Sequence, residues 1–154
     1  MSNRALGKMA LAAVILALPV VPALADEPAK AGALDTQTQM NAVGEALQAV
    51  APVEDAVKRY RLTHDAFPAT NVEAGVGAPP LFASNSVRSI AVGGDGVIDV
   101  TLTAASGVDN GVIRFHPEFA AQSGGGDVHW TCASASYANI GDLTGGACEH
   151  TTQP

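Results

Sequence analysis

The side chains best suited to metal or acid–base chemistry are four histidines scattered along the chain, at His64, His116, His129 and His150. None stands in an H-E-x-x-H or comparable spacing, which would bring two imidazoles to one face of a helix. His116 and His129 lie in neighbouring predicted strands with the same polar orientation, so a metal pair is one interpretation. Solvent-facing strand residues are the simpler interpretation, and we predict no metal site.

Nucleophiles and carboxylates also lack a catalytic arrangement. No serine lies in a G-x-S-x-G elbow, and no cysteine is expected to remain free for nucleophilic work. Asp95 and Asp99 flank a turn, but the D-x-D-x-D-G spacing and the following glutamate of a calcium loop are missing. The glycine clusters at 93–96 and 124–126 do not lead into helices, which disfavours phosphate binding. We predict no catalytic residue, no cofactor and no enzymatic activity.

The two cysteines, Cys132 and Cys148, lack the C-x-x-C spacing of a redox site. A structural zinc site requires four ligands, and scattered histidines give weak support for the missing two. With an export signal, the pair predicts a single disulfide. Its loop of about 15 residues would contribute about 3 kcal/mol in the chain-entropy description.

Residues 1–25 have the pattern of a signal peptide. Arg4 and Lys8 are basic, Met9 to Val21 is apolar, and Ala23-Leu24-Ala25 fits the cleavage pattern. A membrane anchor is the alternative, but the run is shorter than the ~20 apolar residues of a span. We therefore expect export to the periplasm or the cell exterior, followed by a linker at 26–35 and one domain at 36–154.

The charge balance excludes one class of partner. The chain of 154 residues has a formal charge of −7, and without Arg4 and Lys8 it keeps six basic against 15 acidic residues. No cluster of lysine and arginine forms a basic surface, so nucleic-acid binding is disfavoured.

The stretch from Thr36 to Pro68 predicts a long amphipathic helix, extending to about Leu62. Pro52 lies inside it and is expected to kink or split it. The apolar residues recur at three- and four-residue steps that place them on one stripe. These residues are Met40, Val43, Ala46, Leu47, Val50, Val53, Val57 and Tyr60.

The remainder reads as loop and sheet. The punctuated stretch from Ala69 to Ser86 predicts an irregular connection. Alternating patterns then predict four strands, beginning at Val87, Val97, Val112 and Val128, with Pro117 ending the third. Ala133 to Pro154 has no period. The fold class is α+β, a long helix packed on a four-stranded antiparallel sheet.

This order of elements resembles the soluble part of type IV pilins. The matching stretches are Glu45 to Pro68, Ser86 to Pro117, and Trp130 to Cys148. The resemblance implies an amino-terminal helix, a connecting loop, a four-stranded antiparallel sheet and a carboxyl-terminal disulfide loop, which Cys132 and Cys148 would close.

The amino terminus departs from that family. Met1 to Gly7 is similar to a pilin leader, but Lys8 stands in place of the aromatic residue and Ala12 in place of the glutamate. If cleavage follows Ala25, the filament-core helix is lost and a soluble headgroup remains.

Two functions follow as hypotheses. The first is a non-enzymatic protein of pilus-related assembly or cell adhesion, with other pilin-like or pilus-assembly proteins as partners and no membrane contact unless the leader is retained. Its contact surfaces would be the loop from Ala69 to Ser86 and the disulfide loop at 133–147, although both loops could instead only cover sheet edges. The second is a free periplasmic or secreted binding module that uses the fold for another ligand.

Overall fold

The computed structural model of the chain describes residues 35–122 and 125–152. The predicted signal peptide at 1–25 and the predicted linker up to residue 34 lie outside the described residues.

The first element is a helix, α1, at Thr36–His64. The Asp35 side chain caps it by accepting a hydrogen bond from the Thr38 N–H at 2.9 Å. Asp65 ends it in the left-handed conformation, and its N–H donates to the Arg61 carbonyl. The predicted helix is confirmed, and it extends two residues beyond Leu62.

Pro52 lies inside α1, which nevertheless continues as one helix. Of the two outcomes expected at Pro52, a kink or a split, the split is therefore wrong. Pro52 and Gln48 are both exposed, so the Gln48 carbonyl that Pro52 leaves without a helical donor faces water. The helix thus tolerates proline because the missing bond falls on its solvent side.

The buried stripe of α1 is narrower than the sequence predicts. Met40 is 40% exposed, and Leu47 and Tyr60 are only partly buried. Small residues take part in the stripe, which allows the helix to lie close to the sheet. The buried residues of the helix are Ala42, Val43, Ala46, Val50, Val53, Ala56 and Val57. Within the ranges that the structure describes, no helix is long and apolar enough to cross a membrane.

The sheet has five strands in the order in which they occur along the chain. The elements after α1 are β1 (Val87–Val92), β2 (Ile98–Leu102), β3 (Val112–Gln122), β4 (Gly125–Ser134), a short helix α2 (Ile140–Leu143) and β5 (Cys148–His150). The first four strands are antiparallel, as predicted, and β5 is parallel to β4. The prediction of four strands missed β5, because three residues are too few to show an alternating pattern.

The third strand runs through Pro117 rather than ending there. Pro117 lies opposite Trp130 of β4, whereas β2 pairs with β3 only as far as Phe115. The proline therefore lies where β3 has no partner on its β2 side, and it removes no bond from that ladder.

The core lies between α1 and one face of the sheet. Ile98 and Val100 of β2 and Ile113 of β3 are fully buried there with Val53 and Val57 of the helix. The long β3–β4 hairpin also contacts the helix near its end. Lys58 forms an ion pair with Asp127, and the Arg61 guanidinium lies 3.9 Å from the centre of the Phe119 ring.

The stripe generates a stability prediction. Val57→Ala removes two methyl groups from a fully buried site and is expected to lower the free energy of unfolding by about 2 kcal/mol. Leu62→Ala is the matched control in the same helix, because Leu62 is 50% exposed and should change stability little. Denaturant unfolding measures both. Equal effects of the two substitutions would contradict the packing described.

Candidate functional site

The disulfide joins Cys132 of β4 to Cys148 of β5, with 4.7 Å between their Cα atoms. The two residues lie directly opposite each other in the parallel pairing, and Cys148 is buried. Because β5 is so short, the covalent bond is what holds it in register beside β4. The disulfide is structural, and both sulfur atoms are occupied.

The disulfide loop at 133–147 is packed onto the body of the protein. Tyr137, Ile140 and Leu143 are buried in the main core. The Tyr137 hydroxyl shares a hydrogen bond with the Ser106 hydroxyl, and burial raises the pKa of the phenol. Tyr137 also covers Gly111, where any Cβ atom would overlap the phenol ring. This loop is therefore docked at its centre by three buried side chains, and exposed residues such as Ala138, Asn139 and Asp142 alternate with them.

The connection between α1 and β1 covers the outer edge of β1. Asn71, only 5% exposed, accepts a hydrogen bond from the Val92 N–H at 2.7 Å and donates to the Ile90 carbonyl at 3.0 Å. It also donates to the Gly77 carbonyl in its own loop. One amide side chain thus satisfies two edge groups of β1 and fixes the loop against the sheet.

The far end of the loop is fixed beside the start of β1. Hydrogen bonds from Ser84 and Ser86 to the Glu45 carboxylate lower its pKa. Ser84 also pairs with Val87 at the start of β1, through both its backbone and its hydroxyl. The loop is consequently fixed near both ends.

The outer surface of this loop is apolar at two positions. Val72 is 85% exposed and Leu81 is 78% exposed, more than the other exposed large apolar residues, Met40 and Leu62. Contiguous apolar patches on a surface mark interaction sites, whereas a single exposed apolar side chain is ordinary. The arrangement therefore does two things: the loop closes a sheet edge, and it also presents Val72 and Leu81 to solvent.

The polar face of the sheet does not bring the histidines directly opposite each other. His116 faces Thr131, and His129 faces Glu118. Both imidazoles are exposed, in agreement with solvent-facing strand residues. In the described ranges no three histidine, cysteine or carboxylate side chains are grouped closely enough to hold a metal ion.

The two aspartates considered for calcium have other roles. Asp95 takes a left-handed turn conformation, with φ 57°. Asp99 accepts two hydrogen bonds from the Arg114 guanidinium across β2 and β3, and this contact raises the pKa of Arg114.

A cleft of ≈ 300 Å³ lies beside the Asp99–Arg114 pair on the polar face of the sheet. Ala133, opposite Arg114, has a short side chain and leaves space for the cleft. His116 and Ser136 line its rim. The cleft has the volume of a small ligand site but no nucleophile paired with a base.

A family model for pilins, the proteins of bacterial filaments, matches residues 42–148. The match spans more than half of the 154 residues and extends from α1 to the second cysteine of the disulfide. The chain belongs to the pilin family. The resemblance to type IV pilins is thereby confirmed, together with the α+β pilin fold. No curated protein sequence matches the chain significantly.

Pilins are structural proteins, so the surfaces of this pilin matter more than a reaction centre. The sequence indicated both loops as such surfaces but gave no signal for Asn71 or for Tyr137. An asparagine among turn residues has many possible roles, and its bonds to β1 depend on the folding of residues about 20 positions away.

Asn71 gives a test of how the loop is fixed. Asn71→Ala leaves the Val92 N–H and the Ile90 carbonyl without their partner, and each such group costs about 1–3 kcal/mol. We expect a clear loss in the free energy of unfolding, and faster proteolysis within the loop. Asn85→Ala is the control, because Asn85 is exposed in the same connection. Stability equal to that of the control would show that the edge of β1 does not need the amide.

Proposed function

We propose that this pilin is a non-enzymatic exported protein of type IV pilus-related assembly or cell adhesion. Its partners are other pilin-like or pilus-assembly proteins, and it acts in the periplasm or outside the cell. The acidic surface and the absence of a cluster of basic residues argue against a nucleic-acid partner.

The observation that carries the proposal is the exposed apolar pair Val72 and Leu81 on a loop that the sheet holds in place. A flexible loop would lose entropy on binding, whereas this backbone is ordered beforehand by Asn71 and by the hydrogen bonds between Ser84 and Val87. Two large side chains in such a position supply apolar contact area at low cost. The disulfide loop offers a second surface whose centre is equally fixed by Tyr137.

The loop surface can be tested without disturbing the core. The double substitution Val72→Ser and Leu81→Ser should leave the unfolding midpoint nearly unchanged, because both side chains are exposed. We expect the variant to be depleted from sheared surface filaments or from the adherent fraction of cells, measured by immunoblot.

Leu62→Ser is the matched control, since Leu62 is an exposed apolar residue outside the loop. It should partition with filaments as the parent does. If the loop variant is as abundant in the filament or adherent fraction as the parent protein, the loop is not part of the proposed contact surface.

The form of the exported protein is the second part of the proposal. We infer that cleavage follows Ala25, which yields a headgroup beginning at Asp26 without the apolar run from Met9 to Val21. The amino-terminal sequence of the protein from its native host is expected to begin at Asp26. A sequence beginning at Lys8 would contradict this and would indicate a pilus subunit that keeps its apolar helix.

A second function is a free binding module with a pilin fold. The cleft beside Arg114 and Asp99 favours it, because it combines a mostly small-residue floor with hydrogen-bonding groups on its rim. This function predicts that the protein remains soluble and separate from filaments whatever stands at Val72 and Leu81. Filament fractionation of the parent protein therefore distinguishes the two functions.

A further inference from the structure

The fourth strand has an outer edge that is only partly covered. It runs from Gly125 to Ser134, but β5 pairs only with residues 132–134. The order of strands places no other strand beside this edge among the residues that the structure describes. Within the described residues, 126–131 of β4 are thus paired to β3 on one side and have no strand on the other, although Val128 itself is only 6% exposed.

Two hydrogen bonds show which backbone groups point outward. The Ser134 carbonyl accepts from the Thr151 N–H, just beyond β5, and the Val128 N–H is bonded to the Asp127 carboxylate rather than to β3. Backbone groups alternate in direction along a strand. The N–H and C=O groups of Gly126, Val128 and Trp130 therefore point to the open edge.

Asp127 partly protects this edge. Its carboxylate accepts from the Val128 N–H and from the Lys58 ammonium, and the Lys58 hydrogen bond lowers its pKa. The pair with Lys58 is substantially exposed, so it constrains Asp127 only weakly. In the part of the chain that the structure describes, the remaining outward groups of the stretch have no strand beside them, which is the condition under which sheets add a further strand.

We propose that the open edge of β4 pairs with the same edge of a second copy of this chain. The pairing is antiparallel about a two-fold axis at Val128, where each Val128 N–H exchanges its bond to the Asp127 carboxylate for the Val128 carbonyl of the second copy. Val128 faces Val128 of the second copy, Gly126 faces Trp130, and Asp127 faces His129. The three outward-pointing residues of each copy are then matched to each other across the axis.

Charge selects this register from its neighbours. A shift that places Gly126 opposite Val128 brings two Asp127 carboxylates face to face, which is unfavourable. A shift in the other direction brings two His129 side chains together and leaves Asp127 opposite Thr131. Only pairing about Val128 gives two Asp127–His129 contacts, in which each imidazole N–H donates to a carboxylate.

The ends of the open stretch fit the same register. On one side β5 begins to cover β4 at Cys132, and on the other β4 begins at Gly125. Val128 lies near the middle of what remains. The five residues from Gly126 to Trp130 form a contact far smaller than the roughly 1,600 Å² of a standard interface. The pairing is consequently weak in dilute solution and is favoured where copies are held at high local concentration.

Cysteine cross-linking tests the register directly. Asp127→Cys and His129→Cys are produced as full chains in the native host, each alone and both together, and are separated on non-reducing gels. In this register the Cα atoms of directly opposite residues lie about 4.5–5.5 Å apart, a distance that a disulfide spans. Diagonal pairs, at about 7–8 Å, lie beyond its reach. We expect a dimer only when the two variants are produced together, and its complete loss on reduction.

The control replaces Asp127→Cys with Thr101→Cys, on the polar face of β2 and away from the open edge. It should form no dimer with His129→Cys. Peptide mapping must find the Cys132–Cys148 bond in every variant, which shows that each has folded. No dimer in the mixture of folded variants, an equal dimer in either single variant, or an equal dimer in the control would each overturn the proposal. None of these results bears on the role of Val72 and Leu81, so the proposed function is tested separately.

Discussion

The packing of one helix on one face of a sheet is the constraint from which the rest of the structure follows. Buried residues such as Val53 and Val57 require an apolar partner surface, which Ile98, Val100 and Ile113 supply. This arrangement buries one face of the sheet and leaves both of its edges unpaired. An uncovered edge exposes backbone donors and acceptors to other chains. Much of the chain outside the helix and the sheet serves to cover those two edges.

The two edges are treated by different means. At β1 a loop covers the strand and a single buried side chain, Asn71, replaces the missing neighbour. At β4 the chain returns after the disulfide loop, and the bond between Cys132 and Cys148 fixes the short β5 in place. The disulfide is therefore a device for edge pairing as well as for chain entropy. The strand β5 pairs with only three residues of β4. Within the described residues, the stretch near Val128 therefore has no strand on its outer side.

Features determined by local pattern could be predicted from sequence, and those determined by distant contacts could not. The period of α1, the turn at 93–96 and the alternation in four strands are local, and all appear in the structure. The behaviour of Pro52 and Pro117 depends on which side of each element lacks a partner, which sequence does not reveal. The strand β5 and the roles of Asn71 and Tyr137 arise from contacts made across the fold. The sequence indicated the two loops as candidate contact surfaces, but it did not indicate which of their residues are exposed.

The same reasoning explains how the proposed contact surface can lie on a loop that is itself well fixed. A loop that closes a sheet edge must place its backbone accurately, and Asn71 does so from the inside. The side chains that point the other way are then free of any packing role. Val72 and Leu81 can be apolar only if solvent exposure is tolerated or a partner covers them, because neither contributes to the core. In the proposed function the loop thus separates stability from recognition: Asn71 fixes the backbone from the inside, and substitutions at Val72 and Leu81 would change the contact with a partner without changing the fold.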